Sequence, residues 1–200
     1  MPTASPGPLE IEQAALRTGA WAWAETRLYE VLGAWARTAS SAPCKLYFDS
    51  CSQHHAWRAQ LWRDRLPGRL VQAYPGLSLP QPPPGLVGPP SRAAEAAMAV
   101  LSDLQGDAGR LAAHCRVVLA RSAAAYQGWL QDCGPSADRP TARALSMALS
   151  DVVADWREGS ALLVGLVTDG GEGAVAEAAA STALVERALL LRDQTARPFR

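Results

Sequence analysis

The sequence holds little of what usually announces a function. Lys45 is the only lysine among 200 residues, and three histidines stand beside 19 acidic and 19 basic side chains. A formal net charge of zero, with no run of one sign, leaves no basic stripe of the kind that nucleic acid requires. No apolar run reaches the ~20 residues of a membrane-crossing helix, and MPTASPGPLE has no charged-then-apolar leader. We therefore expect a cytoplasmic chain that binds neither nucleic acid nor membrane. The four cysteines (Cys44, Cys51, Cys115 and Cys133) form no CxxC pair. Without a leader this favours reduced, buried thiols over disulfides. Also missing are a phosphate-binding glycine loop, a dinucleotide fingerprint, HExxH and GxSxG. Strand-like alternation is absent throughout.

What remains is helical periodicity in one domain of about 10–193. Because the cations are nearly all arginine and Ala, Gly and Pro abound, the composition reads as that of a GC-rich bacterial genome. Residues 1–9 form a Pro-rich lead-in, expected to be flexible, and 194–200 a tail. From Thr18 to Ala39 an apolar stripe recurs through Trp21, Ala24, Leu28, Val31, Leu32 and Trp35. Pro43 suits the first turn of a second helix, from about Cys44 to Arg65, which stops at Leu66-Pro67-Gly68. Residues 67–90 carry most of the prolines and can sustain neither helix nor central strand. Neither half of the chain has enough helix faces for a core of its own, so we read this stretch as a crossover along a bundle. Ser91 fits the N-cap of a third helix reaching Trp129, kinked near Gly106–Gly109, with His114 at its stripe edge. A fourth runs from about Thr141 to Val167 with Leu145, Val152, Trp156 and Leu163 inward. DGGEG then turns into an alanine-rich fifth helix, about 174–192.

Spacing at about 100° per residue sets the candidate site. On the second helix, His54, His55 and Arg58 share the face of Cys44, Tyr47, Phe48, Cys51 and Trp62. Glu25 edges the stripe of the first helix. Asp155 edges that of the fourth, with Asp151 further round. An antiparallel hairpin about Ser41 sets Glu25 level with Trp57, within a turn of His54, His55 and Arg58. Buried polar groups need partners, so these side chains should meet.

Two antiparallel helices, a long crossover and two more helices, with inward carboxylates and a mid-helix histidine, resemble the ferritin-like superfamily. The segment HHAWRAQLWRDRLP, residues 54–67, is similar to the second helix of ferritin-like proteins of GC-rich bacteria. The resemblance implies a four-helix bundle with an extra C-terminal helix. In its di-iron members, two helices each give a Glu and two give a Glu-x-x-His. Glu25 matches the first carboxylate. His54 matches the second-helix histidine with Cys51 three before it, or His55 matches it with Ser52 there. The third helix has Glu95 near its start and no inward Glu. The fourth has Asp155-x-x-Glu158 where the motif ends in His. The expectation is an incomplete di-iron centre and no required cofactor, with iron or zinc as the ion that Glu25, Cys51, His54 and Asp155 would hold.

Three functions follow. The first is association, as a homodimer or with a protein partner, through Trp23, Trp57 and Leu61 on the outer face of the first two helices. The second is an oxidoreductase-like enzyme, with an atypical metal or with metal-free acid–base groups, using Glu25, His54, His55, Arg58 and Asp155. The third is a small-molecule binder whose ligand lies between the helices, against Arg58 and the tryptophans.

Overall fold

The computed structural model describes residues 11–66, 85–134 and 138–191. The expectations for 1–9, for 67–84 of the crossover and for 194–200 lie outside the described residues. Within them every regular element is helical. The order is α1 (Ile11–Thr38), α2 (Ala42–Arg63), α3 (Arg92–Asp103), α4 (Asp107–Ala112), a π-helical stretch (Ala113–Leu119), α5 (Ala120–Asp132) and α6 (Arg139–Leu189). The chain is all-α, and no described helix is long and apolar enough to cross a membrane.

Local chemistry accounts for the boundaries. Ser41 caps α2, its hydroxyl accepting from the Cys44 amide at 3.2 Å, and Pro43 sits in the first turn. Ser91 caps α3 in the same way, accepting from the Ala94 amide at 3.1 Å. The α1–α2 turn is held by α4. Asp107 accepts the amides of Ser40 and Ser41 (3.0 and 2.8 Å) and the Ser40 hydroxyl (2.7 Å). Arg110 donates to the Leu104 carbonyl and to the Thr38 hydroxyl, both at 2.9 Å. The hairpin of α1 and α2 is thereby fixed to α4, beyond the crossover and α3.

Three expectations need correction. The segment from Ser91 to Trp129 is not one kinked helix: the chain leaves α3 at Leu104, which is extended, and passes through Gly106 at φ 73. That conformation favours glycine and ends a helix outright. Beyond it, α4, the π stretch and α5 run on as a rod, buried without a break from 107 to 115. A single-face reading fails where a helix is wrapped on all sides, and His114, expected at a stripe edge, is 0 % exposed. Trp156, expected inward, is 41 % exposed. The inward line of α6 passes through Val152, Asp155, Gly159 and Leu163, which leaves Trp156 about a sixth of a turn away. The join at DGGEG narrows to one residue, Gly171 at φ 59, which divides α6 into arms 139–170 and 172–189. The second arm folds back: Val164 and Val167 share a hollow with Val175, Ala178 and Thr182.

Two apolar clusters fill the interior. One joins Leu28, Leu32, Trp35, Tyr47, Phe48, Leu111, Cys115 and Leu163; the other joins Ala22, Trp62, Tyr126, Trp129, Leu145 and Val152. Along α1, α2 and α6, Glu25, His55, Arg58 and Asp155 fall between the residues of one cluster and those of the other. The end of the crossover lies on α1, where Leu86 is buried and borders a hollow with Leu16, Ala20 and Trp21.

Candidate functional site

The layer between the clusters is polar and continuous. Glu25, His55, Arg58, His114 and Asp155 are each at most 2 % exposed. At its inner end Tyr126 donates to Glu25 Oε1 at 2.6 Å and accepts from the Trp62 indole at 3.1 Å. Glu25 Oε2 accepts from Arg58 Nε at 3.1 Å and lies 2.5 Å from His55 Nδ1. The Nε2 atoms of His55 and His114 are 3.1 Å apart, and His114 Nδ1 is 3.0 Å from the Tyr47 hydroxyl. That hydroxyl is also 3.6 Å from Cys115 Sγ and 3.1 Å from the Asp155 carbonyl oxygen. Gly159 makes room for this corner, because a Cβ there would stand 2.3 Å from both Tyr47 Oη and Cys115 Sγ.

The protons in this chain can be assigned by accounting. Burial alone would raise the Glu25 carboxyl, but Arg58, His55 and Tyr126 hold it down at about 2, so it is ionised. An ionised Oε2 only accepts, so His55 Nδ1 carries a hydrogen and donates. The Nε2 of a neutral His55 then accepts from His114 Nε2–H, and His114 Nδ1 shares the single Tyr47 proton with the Asp155 carbonyl, to which the hydroxyl also donates. The neutrality of both rings has a physical cause. Burial and the adjacent guanidinium lower His55 against the pull of Glu25. Burial, His55 and Arg58 lower His114 much further. Burial, with the Cys115 and Cys51 thiols beside it, keeps Tyr47 protonated, and burial with Glu25 does the same for Tyr126. From His114 through His55, and from Arg58 Nε and Tyr126, donors point towards Glu25.

The outer end reaches the surface. Arg58 Nη1 donates to Asp155 Oδ2 at 3.2 Å and makes a very short contact with Asp151 Oδ2. His54 Nδ1 lies on the other side of the same carboxylates, 2.7 Å from Asp155 Oδ1 and 3.9 Å from Asp151 Oδ1. The side chains of His54 and Asp151 are 44 % and 24 % exposed, and both border a hollow with Trp57 and Met147.

The chain matches no protein-family model, no curated protein and no solved structure. Its chemistry is therefore read from its own geometry.

The five residues proposed for catalysis come together: Glu25 with His55 and Arg58, and His54 and Arg58 with Asp155. Of the expected metal ligands, His54 and Asp155 share a trio of donor atoms within 4.8 Å, completed by Asp151. Among the described residues Glu25 and Cys51 stand in no such trio; Glu25 is occupied by Arg58, His55 and Tyr126, and burial raises the Cys51 thiol. Glu158, the last residue of the Asp155-x-x-Glu158 pattern, is exposed. Of the interface residues Trp57 is exposed, Trp23 is half-buried, and Leu61 packs against the second cluster. The hollow beside Trp57 has no wall from Trp23.

Sequence reasoning missed Asp151, His114, Tyr47 and Tyr126. Asp151 lies four residues before Asp155, the spacing that stacks side chains on one helix face, and that signal was available. Tyr47 was legible as an inward position, but neither it nor Tyr126 carried a sign of its polar partners.

With His55 and His114 neutral, Arg58 is the one guanidinium that Glu25, Asp151 and Asp155 share in this layer. Carboxylates brought into a poorly solvated site need compensation, and the layer opens to the surface at His54 and Asp151.

Proposed function

We propose that the chain is a ferritin-like four-helix bundle that binds a single divalent transition-metal ion at His54, Asp151 and Asp155. The bundle is formed by α1, α2, the rod and the first arm of α6. In support of the family, a hairpin precedes the crossover, a second helix pair follows it, and polar residues from all four helices meet midway. The residues do not fit a two-iron centre. The Arg58 guanidinium already lies between Glu25 and the two aspartates, and the inner histidines are committed to one another and to Tyr47.

One observation carries the metal reading: the carboxylates of Asp151 and Asp155 are sided. Their Oδ2 atoms take Arg58, while their Oδ1 atoms face His54 Nδ1, whose hydrogen bond to Asp155 Oδ1 at 2.7 Å an ion would replace, releasing the Nδ1 proton. Two carboxylate oxygens and an imidazole nitrogen suit zinc, manganese or iron(II), and three protein donors leave coordination positions open to water or substrate. Arg58 acts as the outer partner that orients both carboxylates. A bound ion would act as a Lewis acid at the hollow, while the chain's own residues orient its ligands and keep Glu25 fully paired behind it.

Calorimetric titration of the full chain with Mn²⁺ and Zn²⁺ tests this. One site per chain is expected, reduced at least about tenfold in affinity by His54→Ala and by Asp151→Asn. Equal binding by wild type and His54→Ala would refute the assignment.

A further inference from the structure

We infer that the hollow in front of these donors takes a small aromatic ligand bearing adjacent oxygen donors, its ring against Trp57 and its oxygens on the metal. The inference rests on the single-metal reading above and names what that site would bind.

The walls of the hollow stand on the same helix faces as the donors. Trp57 follows His54 by three residues on α2, and Met147 precedes Asp151 by four on α6, so each wall is one turn from a ligand. Both are large apolar side chains left in the open, Trp57 41 % and Met147 46 % exposed, and they border one hollow. An indole face and a thioether are the two surfaces that favour a flat ring over an aliphatic chain. Ser146 and Ser150 add hydroxyls at the rim. The Ser146 hydroxyl spends its proton on the Ala142 carbonyl at 2.9 Å, so it offers an acceptor to a phenolic O–H.

The charges narrow the class further. Among the described residues no arginine or lysine lines the hollow, and Asp151 forms part of its wall. A phosphate or other compact polyanion would meet a carboxylate with no cation except the metal. A singly charged aromatic hydroxy-acid or catechol-type group brings its donors on a neutral ring and avoids that repulsion. Its two oxygens would use neighbouring open positions that three protein ligands on one side leave free.

Cobalt(II) substitution separates this inference from the one beneath it. Visible absorption of cobalt-loaded protein reports metal binding by itself, and a change in its bands reports an oxygen ligand entering the coordination sphere. Salicylate is the probe and acetate the ringless control. Salicylate is expected to shift the bands at concentrations at least about tenfold below acetate, and Trp57→Ala should remove most of that advantage while leaving cobalt affinity unchanged. Trp57 is an exposed side chain, and circular dichroism checks that the variant is folded. If cobalt binds but salicylate has no advantage, or Trp57→Ala leaves the advantage intact, the inference fails and the metal reading stands. If cobalt does not bind at His54, both fail. A dimer by light scattering that covers Trp57 and excludes salicylate would also overturn the inference.

Discussion

The two ends of the polar layer use similar residues to opposite effect. At the inner end Glu25, His55, His114, Tyr47 and Tyr126 have spent their hydrogen-bonding capacity on one another. At the outer end His54 and Asp151 keep partial exposure, and two carboxylate oxygens converge on one imidazole. Arg58 belongs to both, with Nε on Glu25 and Nη1 on the aspartates. A closed polar file specifies how the helices pack and has nothing left for a ligand. An open one costs little to disturb and has donors to give. Titratable residues at the centre of a bundle are thus weak evidence of catalysis until their partners are counted.

Variants can break this division, and the largest effect belongs to the residue common to both ends. Arg58→Ala leaves Glu25 and Asp155 buried without their cation. It should cost about 3–5 kcal/mol in urea unfolding, whereas a cost under about 1 kcal/mol would mean the layer is hydrated. Acid should come next. The folded-state pKa values of His55 and His114 are lowered, so below about pH 6.5 the unfolded chain binds protons that the folded chain refuses. Stability is therefore complete above that pH and falls as pH drops, by up to about 2.7 kcal/mol per pH unit while both rings stay neutral. Glu25, held at about 2, adds to the loss below about pH 4.5. Urea midpoints between pH 7 and pH 5 measure the slope, and His114→Phe should flatten it.

Packing around the inner end gives a smaller effect. Gly159→Ala would push a methyl group into Tyr47 and Cys115 and should cost about 1–3 kcal/mol. The smallest stability change belongs to the open end, where His54→Ala should shift unfolding by under about 1 kcal/mol while removing metal affinity. A large loss of stability there would erase the distinction between the two ends.

Much of this was legible in residue spacing, and what was not has identifiable causes. The hairpin about Ser41 and the meeting of Glu25 with His55 and Arg58 follow from helical phase and the need of buried charge for partners. The caps at Ser41 and Ser91 follow from local chemistry. Tyr126 could not be paired with Glu25 from spacing alone, because the two are 101 residues apart and a tyrosine on an apolar stripe reads as core. His114 was misplaced because amphipathic phase assumes an exposed side, which the rod lacks between 107 and 115. Trp156 was misplaced because Gly159, invisible to a hydrophobic pattern, holds the inward position.

The π-helical stretch has a consequence for how the rod could have arisen. His114 and Tyr126 are twelve positions apart, and at about 100° per residue an unbroken α-helix would turn them about 120° away from each other. Both nevertheless reach the Glu25–His55 pair. A π segment absorbs one residue without advancing the turn, which brings the difference to about 20°. The rod therefore carries a one-residue surplus, and its two halves would be matched to the same centre only after that insertion. Losing a single residue between 113 and 119 would leave the helix continuous and its composition nearly unchanged. It would also swing Tyr126 out of reach of Glu25, so that chain length in this segment, more than residue identity, keeps the polar layer closed.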